Sequence, residues 1–173
     1  MAGDVRPIRI IGDPVLRERC TPVTEFDDAL ASLIDDMFAS MYAVNGVGLA
    51  ANQIGVPLRV FVYDCQDGDG PNRVGHLVNP VLEELPAADR KLTESDEGCL
   101  SIPGQWTSLA RTSRAVARGF DRTGKRVTVP GSGQLARCLQ HEADHLDGML
   151  FIDRLTQRSR RKLMKAFEND RPR

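Results

Sequence analysis

Leu135-Ala136-Arg137-Cys138-Leu139-Gln140-His141-Glu142-Ala143-Asp144-His145-Leu146 reads as one amphipathic helix, and the rest of the chain has to be arranged around it. Leu135, Cys138, Leu139, Glu142, Ala143 and Leu146 recur at i, i+3, i+4 and i+7, the spacing of a buried helical face. Gly131, Ser132 and Gly133 precede the run, and Gly148 follows it as a C′ residue. His141 and His145 are four residues apart, so on a helix they differ by roughly 40° of rotation and about one turn of rise, and share a face. Both imidazoles can then reach one divalent ion, with Glu142 beside them to carry protons. HExxH also turns up by chance in ordinary helices. Here, however, the two histidines and the carboxylate lie near the buried side, where they are costly unless paired or ligated.

A third ligand has to come from elsewhere. One protease class extends the motif to HExxHxxGxxH; Gly148 is in register, but Phe151 stands where the third histidine would fall. Another class takes a glutamate about twenty residues downstream, and only Glu168 lies in that range, in a basic tail. Upstream candidates are Cys99, Cys65, Cys20, Cys138, His76 and several carboxylates. Cys99 stands out by its setting, Glu97-Gly98-Cys99-Leu100-Ser101-Ile102-Pro103-Gly104, which suggests a bent, locally exposed backbone from which a thiolate could point at a metal. Two imidazoles, one thiolate and one open position make a catalytic site rather than a structural one.

The 173 residues fit one domain, 1–173, with a substantial core. A composition of 41% hydrophobic and 27% charged residues belongs to a soluble globular chain. No apolar run approaches the roughly 18 residues of a membrane span, and no apolar signal region follows the first residues, so a cytoplasmic location is expected, with no membrane partner. Cys20, Cys65, Cys99 and Cys138 lack paired spacing and suggest no disulfide framework; a reducing compartment would keep a thiolate at Cys99 available. The net charge of −1 conceals an asymmetry. Residues 154–173 carry eight Lys/Arg against two acids, leaving 15 basic and 22 acidic residues in the rest. Arg158, Arg160, Arg161, Lys162 and Lys165 could meet RNA phosphates, or the segment could be a solvated helix whose Leu155, Leu163, Met164 and Phe167 pack on the domain.

Leu30, Leu33, Ile34, Met37, Phe38 and Met41 predict a helix over 27–44, capped by Asp27 or Thr24 and ended by Asn45-Gly46, with both methionines in the core. Residues 59–63, 76–85, 114–120 and 126–129 read as strands, the last two joined by a turn at 121–124. Residues 66–73 read as a loop; they lack the twelve-residue spacing of a calcium site. The fold class is α+β, with an N-terminal helix, several strands, a central metal helix and a C-terminal helix. Gly46-x-Gly48 follows a helix rather than a strand, which argues against a dinucleotide fingerprint.

Three blocks together resemble the peptide deformylase family: Gly46-Val47-Gly48-Leu49-Ala50-Ala51-Asn52-Gln53, Glu97-Gly98-Cys99-Leu100-Ser101, and Gln140-His141-Glu142-Ala143-Asp144-His145-Leu146. They occur in the family order, and Ile11-Gly12-Asp13-Pro14-Val15-Leu16-Arg17 is similar to the family's N-terminal segment. The resemblance implies a metal helix surrounded by antiparallel β-strands. It implies removal of the formyl group from nascent formyl-Met peptides, with Cys99, His141 and His145 as metal ligands and Glu142 as general base and acid. The Gln53 side chain and the Leu100 backbone N–H would steady the oxyanion. Gly46, Val47 and Gly48 would bind the substrate backbone in strand fashion, and Val47, Cys138 and Leu139 would line a pocket for its methionine. Gln134 and Arg137 are less apolar than such a pocket suggests. The donor set suits Fe²⁺ and Zn²⁺ alike; the resemblance favours Fe²⁺, with Zn²⁺, Ni²⁺ or Co²⁺ as substitutes. Similar enzymes have been linked to ribosome docking through a C-terminal helix, and no DNA partner is expected. Trp106 departs from the pattern, standing where many relatives carry a basic or phenolic residue; it could stack on substrate, cover the cleft or pack in the core. A zinc endopeptidase and an RNA-binding module with a structural metal are the rival readings, the first disfavoured by Phe151 and by the cysteine block.

Overall fold

Val60-Phe61-Val62-Tyr63 is apolar on both of its faces, and such a run belongs to a strand covered on two sides. The computed structural model describes residues 2–172; Met1 and Arg173, the outer ends of the expected domain and of the basic tail, lie outside the described residues. In chain order the elements are α1 (Asp28–Ala43), β1 (Gly48–Ala50), β2 (Val60–Gln66), β3 (Asn72–Leu82), β4 (Leu92–Cys99), β5 (Ile102–Thr112), β6 (Arg114–Phe120), β7 (Arg126–Ser132), α2 (Gly133–Leu146) and α3 (Gln157–Asp170). Strands β1-β2-β3-β6-β7 form one antiparallel sheet and β4-β5 a separate two-stranded one. Because side chains alternate along a strand, Val60 and Val62 turn to one face of the larger sheet. There they meet Leu33, Ile34, Met37 and Met41 of α1. Phe61, Tyr63 and Cys65 turn to the other face, against Leu135, Cys138, Leu139 and Leu146 of α2. A third cluster joins Cys99, Ile102 and Leu109 of the β4–β5 hairpin to Phe151, Ile152 and, from α3, Leu163 and Phe167.

The α+β arrangement and the helix at the centre agree with expectation. Asp27 caps α1, its carboxylate accepting from the Leu30 N–H at 3.0 Å, and Asn45 follows α1 with φ +55°. Gly148 takes φ +73° just past the C-cap of α2, so close to the Arg17 backbone that a Cβ would fall 2.5 Å from its carbonyl oxygen. The strands differ from expectation in extent. β2 runs on to Gln66 and β3 begins at Asn72, so the anticipated 66–73 loop is present but shorter, spanning residues 67–71. β1, β4 and β5 were not anticipated. The 97–104 segment does bend, as the end of β4, a short turn and the start of β5 with Gly104 at φ +78°, but Cys99 is buried rather than locally exposed.

Candidate metal centre

α2 lays its buried face on the large sheet and against β5, bringing His141 and His145 beside the last residue of β4, Cys99. His145 Nε2 stands 3.2 Å from His141 Nε2 and 3.4 Å from Cys99 Sγ. Tetrahedral coordination with ordinary metal–nitrogen and metal–sulfur bonds separates ligand atoms by about 3.3–3.6 Å. The three residues thus form a buried group able to hold a metal ion. Phe151 stacks its ring 6.1 Å from that of His141.

His141 is held from behind. Its Nδ1–H donates to Glu97 Oε2 at 2.7 Å, which leaves the Nε2 lone pair facing the centre. Glu97 also receives both the Nε and the terminal nitrogen of Arg111 at 2.7 Å and Arg137 at 3.0 Å. Arg111 extends to Asp144 at 3.1 Å, and Arg154 donates twice to the same carboxylate. Burial alone would raise the Glu97 pKa, but the bonds from Arg111 and His141 hold it well below the usual carboxylate range. None of this network was assigned a role from sequence. The available signal was that Glu97 lies two residues before Cys99, hence on the same side of a strand.

Glu142, one residue from His141, is buried with Oε2 unbonded; among the described residues, Asn52 Oδ1 and His145 Nδ1 are the only other buried side-chain polar atoms without a hydrogen-bond partner. Burial raises its pKa to about 7, against the opposing charge of His141. Gly48 lies directly beside it: a Cβ there would fall 2.7 Å from Glu142 Oε1 and 2.6 Å from Cys138 Sγ. Gln53 is fixed through Oε1, which accepts from the Ala50 N–H at 2.9 Å. Its Nε2 is thereby turned to Ser101 Oγ at 3.1 Å and Cys99 Sγ at 3.7 Å. The side chain therefore both closes a turn and faces the centre.

A cleft of about 910 Å³ opens over these groups, and Gly46, Val47, Gly48, Leu100 and Cys138 line it. Leu139 does not: it is fully buried in the core beneath α2, because it lies on the sheet-facing side of the helix. Gln134 and Arg137 do line the cleft, and Arg137 also ties α2 to the Leu109 and Thr93 carbonyls at 2.8 Å. The model of the polypeptide deformylase family matches residues 5–161, nearly the whole chain.

The chain belongs to the polypeptide deformylase family.

Among deformylase relatives, peptide deformylase 1 of Streptomyces avermitilis is 51% identical over 171 residues, covering 99% of this chain and 79% of the relative. The peptide deformylase of Acidothermus cellulolyticus is 55% identical over 162 residues, covering 94% and 85%. The crystal structure of the deformylase from Ehrlichia chaffeensis superposes with a TM-score of 0.87 at 30% identity and covers 98% of each chain. The fold and the Cys-His-His group are thus those of a deformylase metalloenzyme. No helix of the described residues is long and apolar enough to cross a membrane.

Proposed function

We propose that this chain is a peptide deformylase, a hydrolase that removes the N-formyl group from the formyl-methionine of newly made polypeptides. We assign it one catalytic domain over residues 1–173 and place it in the cytoplasm. The observation that carries the reading is the convergence of Cys99, His141 and His145 beside an unbonded, buried Glu142, with Cys99, His141 and Glu142 lining the cleft.

A divalent ion held by Cys99, His141 and His145, physiologically Fe²⁺ with Zn²⁺, Ni²⁺ or Co²⁺ as substitutes, would polarise the formyl group and lower the pKa of water towards ~7. Glu142 takes the proton of the attacking water and delivers it to the departing amine; a pKa of about 7 suits a group that must do both near neutrality. The Gln53 amide and the Leu100 N–H donate to the formyl oxygen as negative charge builds there, and losing one such donor costs about 3 kcal/mol of transition-state stabilisation. Among the described residues β1 pairs only with β2, so its other edge, entered through Gly46, Val47 and Gly48, can pair with the substrate backbone as an added strand. Cys138 and Val47 face the methionine side chain.

The test is formate release from a short formyl-Met peptide by anaerobically purified protein, beside Glu142→Ala. Fast release by the parent, and its loss in a variant that still binds one metal per chain, is expected. No release from a metal-loaded parent overturns the assignment.

We also propose that α3 contacts the ribosome. Leu163 and Phe167 pack it on the body, while Arg158, Arg161, Lys162 and Lys165 are exposed. Cosedimentation with ribosomes should fall steeply with added salt and be lost when these four are changed to Glu; cosedimentation insensitive to both overturns it.

A further inference from the structure

Trp106 is the chain's sole tryptophan, and it is 69% exposed. It stands on β5 directly opposite Gly98 of β4. Its indole lies against the Gly98 backbone: a Cβ on Gly98 would fall 2.7–2.9 Å from three ring atoms, so only glycine lets the ring lie there. Gly98 precedes Cys99, and Gly98 and Trp106 both line the cleft. Val44 and Val47, each 43% exposed, line it from the α1–β1 side. The cleft therefore carries apolar surface on its rim, whereas its inner lining includes Cys138, Arg137 and Glu142. Its volume of about 910 Å³ is near the upper end for sites that enclose a drug-sized ligand, more room than one formyl-methionine needs.

A peptide held as a strand turns successive side chains to opposite sides. With the first side chain directed inward beside Cys138, the second points outward to the rim, at the level of the indole. We propose that Trp106 is a specificity-determining residue that stacks on the second residue of the substrate and favours an aromatic or large apolar side chain there. This rests on the deformylase reading, and it names which formyl-Met peptides the chain prefers.

The experiment compares formyl-Met-Phe-Ser with formyl-Met-Gly-Ser on the metal-loaded enzyme. The parent is expected to prefer Phe by about three- to tenfold in kcat/KM, mostly through KM, the range that an aromatic contact supplies. Trp106→Ala should bring the ratio close to one, and Trp106→Phe should restore part of it. Because no other tryptophan contributes, emission of the Glu142→Ala protein should shift to the blue on adding the Phe peptide and much less with the Gly peptide. A parent ratio near one, a ratio unchanged in Trp106→Ala, or no emission shift with the Phe peptide overturns the inference while leaving the deformylase reading intact. Absence of formate from both peptides removes the deformylase reading and this inference with it.

Discussion

Gly48 leaves the centre almost no slack, since any side chain there would press on both Cys138 and Glu142. Gly48→Ala should therefore lower kcat/KM by about 100-fold, as misplacement of a reacting group by an ångström does, while the melting temperature changes little; an active Gly48→Ala enzyme would mean that Glu142 tolerates displacement. Glu97 acts on the opposite side of the centre. Glu97→Gln removes the charge that Arg111, Arg137 and His141 all share, and metal affinity should fall by about 10–100-fold in competition with a chelator. It should also destabilise the fold by about 3–5 kcal/mol, because Arg111 is left buried with less compensation. The residues able to hold an ion were legible because helical spacing and a cysteine preceded by glycine are local patterns. Their supports were not: Glu97 and Arg111 are 14 residues apart and meet only when the β4–β5 hairpin closes.

At the scale of elements, α1 and α2 could be read because their apolar residues recur at the helical period over several turns. β4 could not. Leu92, Thr93, Glu94, Ser95 and Asp96 are all exposed, so no alternation marks them, and pairing with β5 alone makes them a strand. β1 has three residues, too few for any period. The N-terminal segment likewise owes its place to partners far along the chain. The Asp4 N–H and the Arg6 guanidinium donate to Asp36, the Arg6 N–H to Ser40, and the Arg9 and Ile11 N–H groups to the Gln53 and Ser101 carbonyls. Burial would raise the Asp36 pKa, but the bonds from Asp4 and Arg6 bring it below its ordinary 3.8. A depressed carboxyl stabilises the fold fully above its unfolded value and ceases to do so as pH falls through the folded one. Asp36→Asn should thus melt about 2–4 °C below the parent at pH 7. The two curves should converge below about pH 4; a constant gap would refute the Asp36 anchor.

For the whole molecule, three donors from two separate parts of the chain meet at one point. An ion present at a thousandfold over its Kd stabilises the folded state by about 4 kcal/mol, so stripping it with a chelator should lower Tm by about 8–16 °C in a chain of this size; an unchanged Tm would mean that the fold does not sense the ion. The two-stranded β4–β5 sheet supplies one donor and α2, seated on the five-stranded sheet, supplies the other two. Deuterium uptake should follow that division. In the ion-free protein the amides of β4 and β5 are expected to open and exchange as one block, while those of β2, β3 and β6 stay protected. Loss of the ion would then be legible as the breathing of a single hairpin, the one that walls the peptide's path.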